Sequence, residues 1–463
     1  MSTSTRGDLR CRLPFELVDL VLKDCETATL YSCSLVCRSW LPICRSQLFE
    51  SLEINNTPPQ RCVQLVSVLE LKHSTISGYI RNLTIHLSNR NRQMISQVPC
   101  SRRSDGGKIR LRCVDYIQMI LLHLKSSIRS LKKLTIISHP NLLSDFYFST
   151  VSSGIISLAS DLTSSFGHIV QELVLQFVEE NPLYIIPFIC SFPRLEILSM
   201  RSGLSANLNP FLDTLLSNHS LPASLRTLKL GDGNDSVEQD GIHSLYRWLR
   251  AHCPSELRSL SVENVRLDEV TSPDMRPLLA QCKDLRSLHL GIDTSDIPGN
   301  EEPFYDLSAA ESLERLAIST RGIELFEPDS TLLTLISQMI DTLASSRLRS
   351  ITFNVPGGGF RVLDEKWDIL DALLASKKFA SIAVELVVPF CDLTRNDGTE
   401  AEDLPSARRL LTRCDEQARL TVIRAPFVFV MNTSRWIKEG GDEEECIPDW
   451  EVIDWVCEGS WRR

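Results

Sequence analysis

"LRTLKL" at 225–230, "LRSLSV" at 257–262 and "LRSLHL" at 285–290 are one phrase written three times. Related copies read "LEILSM" from Leu195, "LERLAI" from Leu313 and "LRSITF" from Leu348. Weaker copies are "IRNLTI" from Ile80, "LKKLTI" from Leu131, "VQELVL" from Val170 and "FASIAV" from Phe379. The central anchors Leu198, Leu228, Leu260, Leu288, Leu316, Ile351 and Ile382 are separated by 30, 32, 28, 28, 35 and 31 residues. A fixed phrase at a loosely fixed period is the mark of a repeat architecture.

The second half of each phrase alternates, as a strand does: Leu228 inward, Lys229 outward, Leu230 inward. Between phrases the apolar spacing changes to that of a helix. Ile242, Leu245, Trp248 and Leu249 fall on one side of "GIHSLYRWLRAHC", and "LLTLISQMIDTLA" (332–344) and "WDILDALLAS" (367–376) behave likewise. One strand and one helix in about 30 residues cannot bury its own apolar face. The units must therefore stack, with the strands side by side.

Units of this length and phrasing resemble leucine-rich repeats. The resemblance implies an α/β solenoid, a horseshoe with the strands on its inner face. The asparagine that usually follows the strand is mostly missing and the period drifts, so the horseshoe is expected to be irregular. Alternation then predicts which side chains face outward from the strands: Thr227 and Lys229, Ser259 and Ser261, Ser287 and His289, Arg315 and Ala317, Ser350 and Thr352. Stacked strands lie about 4.8 Å apart, which gathers these residues into one patch. All of them except Ala317 are candidates for binding a target protein. The neighbouring Arg226, Arg258, Arg286 and Arg349 form either a cationic edge or a solvated rim.

A differently patterned stretch comes first: "LPFELVDLVLKDCETATLYSCSLVCRSWLPICRSQLFESLEI", from Leu13 to Ile54. It divides into three short helical pieces. Pro14 suits the first helical position. Leu17, Leu20 and Val21 form one apolar face; Leu30, Cys33, Ser34 and Cys37 a second, widened by Leu35 and Val36; Trp40, Leu41, Ile43, Cys44, Leu48 and Phe49 a third. Some forty residues can barely stabilise themselves. Three short helices also leave apolar surface over, which calls for a neighbour. This stretch resembles the F-box, through its Leu-Pro start and its Val-Cys-Arg-x-Trp block (36–40). The resemblance implies docking to the Skp-family adaptor of cullin–RING ubiquitin ligases. The expected adaptor-binding residues are Leu13, Pro14, Leu17, Val21, Leu30, Leu35, Val36, Cys37, Trp40 and Leu48. An ordinary helical cap on the following domain is the alternative.

The first repeats are widely spaced, 51 residues from Leu83 to Leu134 and 39 more to Leu173. The excess holds a basic run near 89–112 with a Gly-Gly break, which reads as a nuclear-import or anionic-partner patch or, more simply, as a solvated insertion. From 392 the texture turns polar. "TVIRAPFVFVM" (421–431) reads as an apolar strand or cap, and the acidic tail from Glu439 carries Trp450, Trp455 and Trp461, which suit either a peptide arm for a basic or apolar partner or, more simply, sealing of the last repeat.

The formal charge of −10 argues against nucleic acid as the main partner. The N-terminal residues lack the apolar core of a secretory signal, and no run is long enough to span a membrane. The 15 cysteines are irregularly spaced without any CxxC, which reads as small buried hydrophobes in a reducing compartment, cytoplasmic or nuclear. No phosphate-binding glycine loop, metalloprotease or nucleophile-elbow motif occurs. "GDGND" (231–235) lacks the closing ligands of a calcium loop, and "VPGGGF" (355–360) reads as a strand-to-helix turn. Catalytic residues, cofactors and metals are therefore not expected.

The organisation expected is an F-box-like adaptor-binding unit at 10–54, a leucine-rich-repeat-like solenoid at 55–391, and a linker, cap and acidic aromatic tail at 392–463. The function expected is that of fungal-type F-box and leucine-rich-repeat receptors: a non-catalytic subunit that bridges the adaptor, and through it the cullin–RING core, to a target protein. A binding scaffold that serves no ligase is the alternative.

Overall fold

The computed structural model describes residues 14–36, 38–54, 59–69, 71, 76–88, 113–128, 130–139, 152–176, 182–201, 218–231, 248–249, 251–265, 275–293, 306–321, 332–354, 364–390 and 408–426. The chain divides into two compact units. The first comprises residues 1–180 with 191–195, the second residues 181–190 with 196–463.

The first unit opens with three helices, α1 (Phe15–Lys23), α2 (Thr27–Val36) and α3 (Leu41–Leu48). Strands and helices then alternate: β1 (Ser51–Ile54), α4 (Pro59–Leu69), β2 (Asn82–Ser88), α5 (Cys113–Ser127), β3 (Lys133–His139), α6 (Ser152–Phe166) and β4 (Glu172–Gln176). The four strands are parallel neighbours in chain order. The helices between them pack in succession, α4 on α5 and α5 on α6.

The second unit repeats the plan. It holds α7 (Pro182–Cys190), β5 (Ile197–Arg201), β6 (Thr227–Gly231), β7 (Ser259–Val265), α8 (Met275–Gln281), β8 (Ser287–Asp293), β9 (Arg315–Arg321), α9 (Leu332–Asp341), β10 (Ser350–Asn354), α10 (Asp364–Leu374), β11 (Ala383–Phe390), α11 (Thr412–Glu416) and β12 (Leu420–Pro426). These eight strands are again parallel and in chain order.

The repeated phrase explains the repeated geometry. Its first leucine closes a turn: the N–H groups of Leu225, Leu257, Leu285 and Leu313 donate to carbonyls three residues back, at Pro222, Pro254, Cys282 and Ala310. Those leucines are at most 1% exposed. The strand begins two residues later, and its two inward positions stack from repeat to repeat. Leu198, Leu228, Leu260, Leu288, Leu316, Ile351 and Val384 are paired in register and at most 1% exposed. One further device recurs. The carbonyl just before a strand accepts two N–H groups from the next repeat: Arg226 from Arg258 and Ser259 (2.9 and 3.0 Å), and Arg258 from Arg286 and Ser287 (2.8 and 3.0 Å). In the first unit Arg81 does the same for Lys132 and Lys133 (2.7 and 3.0 Å). Backbone groups at each strand start are thus satisfied without any side-chain asparagine.

One expectation needs adjusting. Ile382 does not align with Ile351; its place is taken by Val384, because Ile382 N–H bonds the Phe379 carbonyl and so sits on the turn before β11. In the first unit the parallel ladder begins at β1, and in the second it runs to β12. The segment from Thr421 therefore starts as one more strand of the sheet. The basic run at 89–112, the "VPGGGF" turn and the acidic tail lie outside the described residues.

β12 is held by side chains rather than by the phrase. Asp371 of α10, 2% exposed, accepts from the backbone N–H groups of Arg413 (2.8 Å) and Cys414 (3.1 Å) at the start of α11. Arg419 donates to the carbonyls of Leu374 (2.9 Å), Phe379 (2.7 Å) and Ile382 (3.0 Å). Between them Ala418 takes a left-handed turn, φ 54°.

Candidate functional site: an exposed apolar face on the N-terminal helices

Pro14 precedes α1 as its cap instead of occupying its first turn, and its carbonyl accepts from Leu17 N–H (3.1 Å) and Val18 N–H (3.2 Å). The helix then carries two apolar faces. Val18 and Leu22, one turn apart, join Leu30, Ile43 and Cys44 in a small core. Cys25, Cys33, Trp40 and Leu48 pack around its edge. α3 touches both α1 and α2 and closes this core.

The other face of α1 is exposed. Leu17 is 48% exposed, Leu20 64% and Val21 67%. α2 adds Tyr31 at 54%, Leu35 at 87% and Val36 at 67%. Fully burying such an aliphatic side chain stabilises by about 1.5–3 kcal/mol, so covering this set releases enough free energy to hold a partner. The rim is charged and mostly acidic, with Glu16, Asp19, Asp24 and Glu26 exposed beside Lys23. An apolar centre inside a polar rim is the anatomy of a protein interface.

The expected adaptor-binding residues therefore fall into groups. Leu17, Val21, Leu35 and Val36 are exposed on α1 and α2, and Pro14 is exposed at the helix start. Leu30 is not on the surface: at 6% exposure it belongs to the core, since its helix turns that side toward α3. Trp40 and Leu48 are partly buried against the same core and hold the helices together. Leu13 and Cys37 lie outside the described residues. Leu20 and Tyr31 join the exposed set. Leu20 was legible as a member of the Leu17–Val21 stripe, whereas Tyr31 had no periodic signal.

The expected target-binding residues lie in two registered rows on the strands of the second unit. Thr227, Ser259, Ser287, Arg315 and Ser350 make one row. Lys229, Ser261, His289 and Thr352 lie in the other, with Ala317 between His289 and Thr352. Two positions are more enclosed than alternation predicts. Ser287 is 5% exposed, flanked in register by Ser259 and the long side chain of Arg315, and Ala317 is 2% exposed. His289 spans three strands: Nδ1 pairs with Ser261 Oγ and Nε2 with Ser319 Oγ, both at 2.8 Å. Burial, aided by the Lys229 charge, pulls its pKa down to about 4, so the ring is neutral at pH 7. Thr352 Oγ1 donates to Glu385 at 2.9 Å. The Arg column is partly paired, Arg226 with Glu256 and Arg286 with Glu314 at 3.8 Å. No cluster of metal-binding side chains occurs among the described residues, and no described helix is long and apolar enough to cross a membrane.

Comparison with known proteins gives one family. The model of the F-box domain matches residues 11–52, the three-helix unit with its first strand. No curated protein matches the chain.

Proposed function

We propose that this F-box protein is the target-recognition subunit of an SCF-type ubiquitin ligase. F-box domains bind Skp-family adaptors, and the proteins that carry them are typically non-catalytic receptors. The observation that carries the reading is the uncovered apolar face of Leu17, Leu20, Val21, Leu35 and Val36 on a helical unit whose own core is already filled. A helical partner with an apolar groove is the neighbour such a face requires.

The repeats supply the other half of the bridge. Their parallel strands and recurring turns support a leucine-rich-repeat-like solenoid, and the rows around Lys229, His289 and Arg315 are the surface we assign to the target. That surface is polar and small-featured, suited to an extended segment lying across the strands. Function is tethering: holding a target near the conjugating machinery raises its effective concentration there. No group on the chain needs to react.

The test is co-purification of the full chain with a Skp-family adaptor, beside a Leu17→Asp/Val21→Asp variant. Capture by the parent and loss in the folded variant support the reading. Failure of the parent to capture adaptor leaves a repeat scaffold that serves no ligase. For the target, Lys229→Glu with Arg315→Glu should weaken capture and leave adaptor binding unchanged; unchanged capture moves recognition off the strand rows.

A further inference from the structure

Cys253 and Cys282 occupy matching places in neighbouring repeats. Cys253 follows the helical residues 251–252 and Cys282 follows α8, each with its N–H bonded to the carbonyl four residues back, Leu249 (2.6 Å) and Leu278 (3.1 Å). Each precedes the turn that starts a strand, β7 and β8, and those strands are paired in register from Ser259 and Ser287. Stacking one repeat on the next therefore brings the two thiols face to face. Their sulfurs are 3.8 Å apart, within a thiol–thiol hydrogen bond, and the residues are 5% and 2% exposed.

We propose that Cys253 and Cys282 are a redox modification site, oxidised by a peroxide-class oxidant to a disulfide that staples the β7 repeat to the β8 repeat. The distance is short enough for this without rebuilding the fold. A disulfide needs about 2.05 Å between sulfurs, so each sulfur moves less than about 1 Å, which side-chain rotation supplies. The backbone on both sides is already fixed by the strand ladder and the turn hydrogen bonds.

The chemistry balances in two steps. One thiolate of the pair attacks one oxygen of hydrogen peroxide, giving a sulfenic acid, with the leaving hydroxide taking up the thiol proton as water. The partner sulfur then attacks the sulfenic sulfur, the S–S bond forms, and a second water leaves. Two thiols lose two electrons in total and the peroxide gains them. Either sulfur can donate in the hydrogen bond between them, so either can be oxidised first. Burial opposes ionisation at both. Burial also means that peroxide reaches the pair through local opening, so oxidation is slow and confined to small oxidants.

The staple would join the turns that lead into β7 and β8, the strands that carry Ser261 and His289 in the rows assigned to the target. It would hold those two strands in fixed register and reduce their freedom to adjust to a ligand.

Full-length protein is treated with hydrogen peroxide under native conditions, then denatured, capped with N-ethylmaleimide and digested with trypsin without reduction. The expected product joins the peptides 251–258 and 267–283, which contain Cys253 and Cys282. Two maleimide adducts disappear together, dithiothreitol restores both, and the oxidised protein melts several degrees higher. In Cys253→Ser the partner sulfur is gone, and dimedone should label the sulfenic acid left on Cys282; Cys282→Ser should expose Cys253 in the same way. The proposal is overturned by oxidation that leaves both residues open to maleimide. It is equally overturned by oxidation that joins either one to a different cysteine, or carries either to sulfinic acid without the linked peptide. Absence of dimedone labelling both at Cys282 in Cys253→Ser and at Cys253 in Cys282→Ser overturns the sulfenic acid route.

Discussion

Leu17 and Val18 are neighbours in sequence and face opposite ways on α1. Val18 is 4% exposed inside the three-helix core, and Leu17 is 48% exposed on its outer side. The pair separates two places for apolar side chains, one inside the core and one on the face we propose for the adaptor.

Truncation on the outer side should weaken the partner and spare the fold. Leu17→Ala and Leu20→Ala should each leave far-ultraviolet circular dichroism unchanged. A central anchor of this kind costs about 2 kcal/mol in binding, roughly thirtyfold in affinity for the adaptor. Titration calorimetry with purified adaptor reads this directly. Parent-like affinity in both variants would place the docking surface elsewhere.

Truncation on the inner side should do the reverse in order of cause. Leu22, 2% exposed, fills the core with Leu30 and Ile43. Leu22→Ala should destabilise the helical unit by about 2–5 kcal/mol, a large share of what a unit of this size holds. Helical content at 15–48 should then fall together with adaptor capture. Trp40→Ala belongs to this class as well, because Trp40 packs on the same core. Retained protection from hydrogen exchange in α1–α3 of Leu22→Ala would show that the core does not depend on it.

Much of this was legible because apolar residues recur at fixed spacing. The leucine phrase announces turn, strand and stacking together, and period two places Lys229 outward between Leu228 and Leu230. What periodicity cannot tell is which of two apolar faces stays uncovered. α1 is apolar on both sides, and only the positions of α2 and α3 make Val18 internal and Leu17 external. Ser287 is enclosed for a related reason: alternation gives the side of the sheet, whereas enclosure depends on the length of neighbours such as Arg315. The Asp371 and Arg419 contacts join residues about forty positions apart through polar atoms, and no local pattern announces them.

His289 predicts a pH dependence. Its folded pKa is held down at about 4, below the ordinary value of 6.5, chiefly by burial. The unfolded chain therefore binds the extra proton first as pH falls. Stability from this group is fully present above about pH 6.5 and is lost progressively between 6.5 and 4, by an amount on the order of 3 kcal/mol at the acid end. Other groups titrate in the same range, so the comparison is with His289→Asn, which cannot take up the proton. The melting temperature of the parent should fall more steeply between pH 7 and pH 5 than that of the variant. Parallel curves would mean that the ring is more freely hydrated than its two serine contacts imply.

Asp371 predicts how the sheet ends. Both carboxylate oxygens are committed, one to Arg413 N–H and one to Cys414 N–H, at a site 2% exposed. In Asp371→Ala those two amides lose their acceptor, and Cys414 N–H is left buried, at about 1–3 kcal/mol per unsatisfied group. α11 should detach first, having five residues and no side-chain cap of its own. β12 should follow, because Arg419, which grips the Leu374, Phe379 and Ile382 carbonyls, leads directly from α11 into that strand. The expected signature is fast amide exchange confined to 412–426, with β6–β10 as protected as in the parent. Asp371→Asn keeps one carbonyl acceptor and should lie between. Should 420–426 stay protected in Asp371→Ala, the ladder to β11 alone holds β12, and the buried carboxylate merely orders the helix before it.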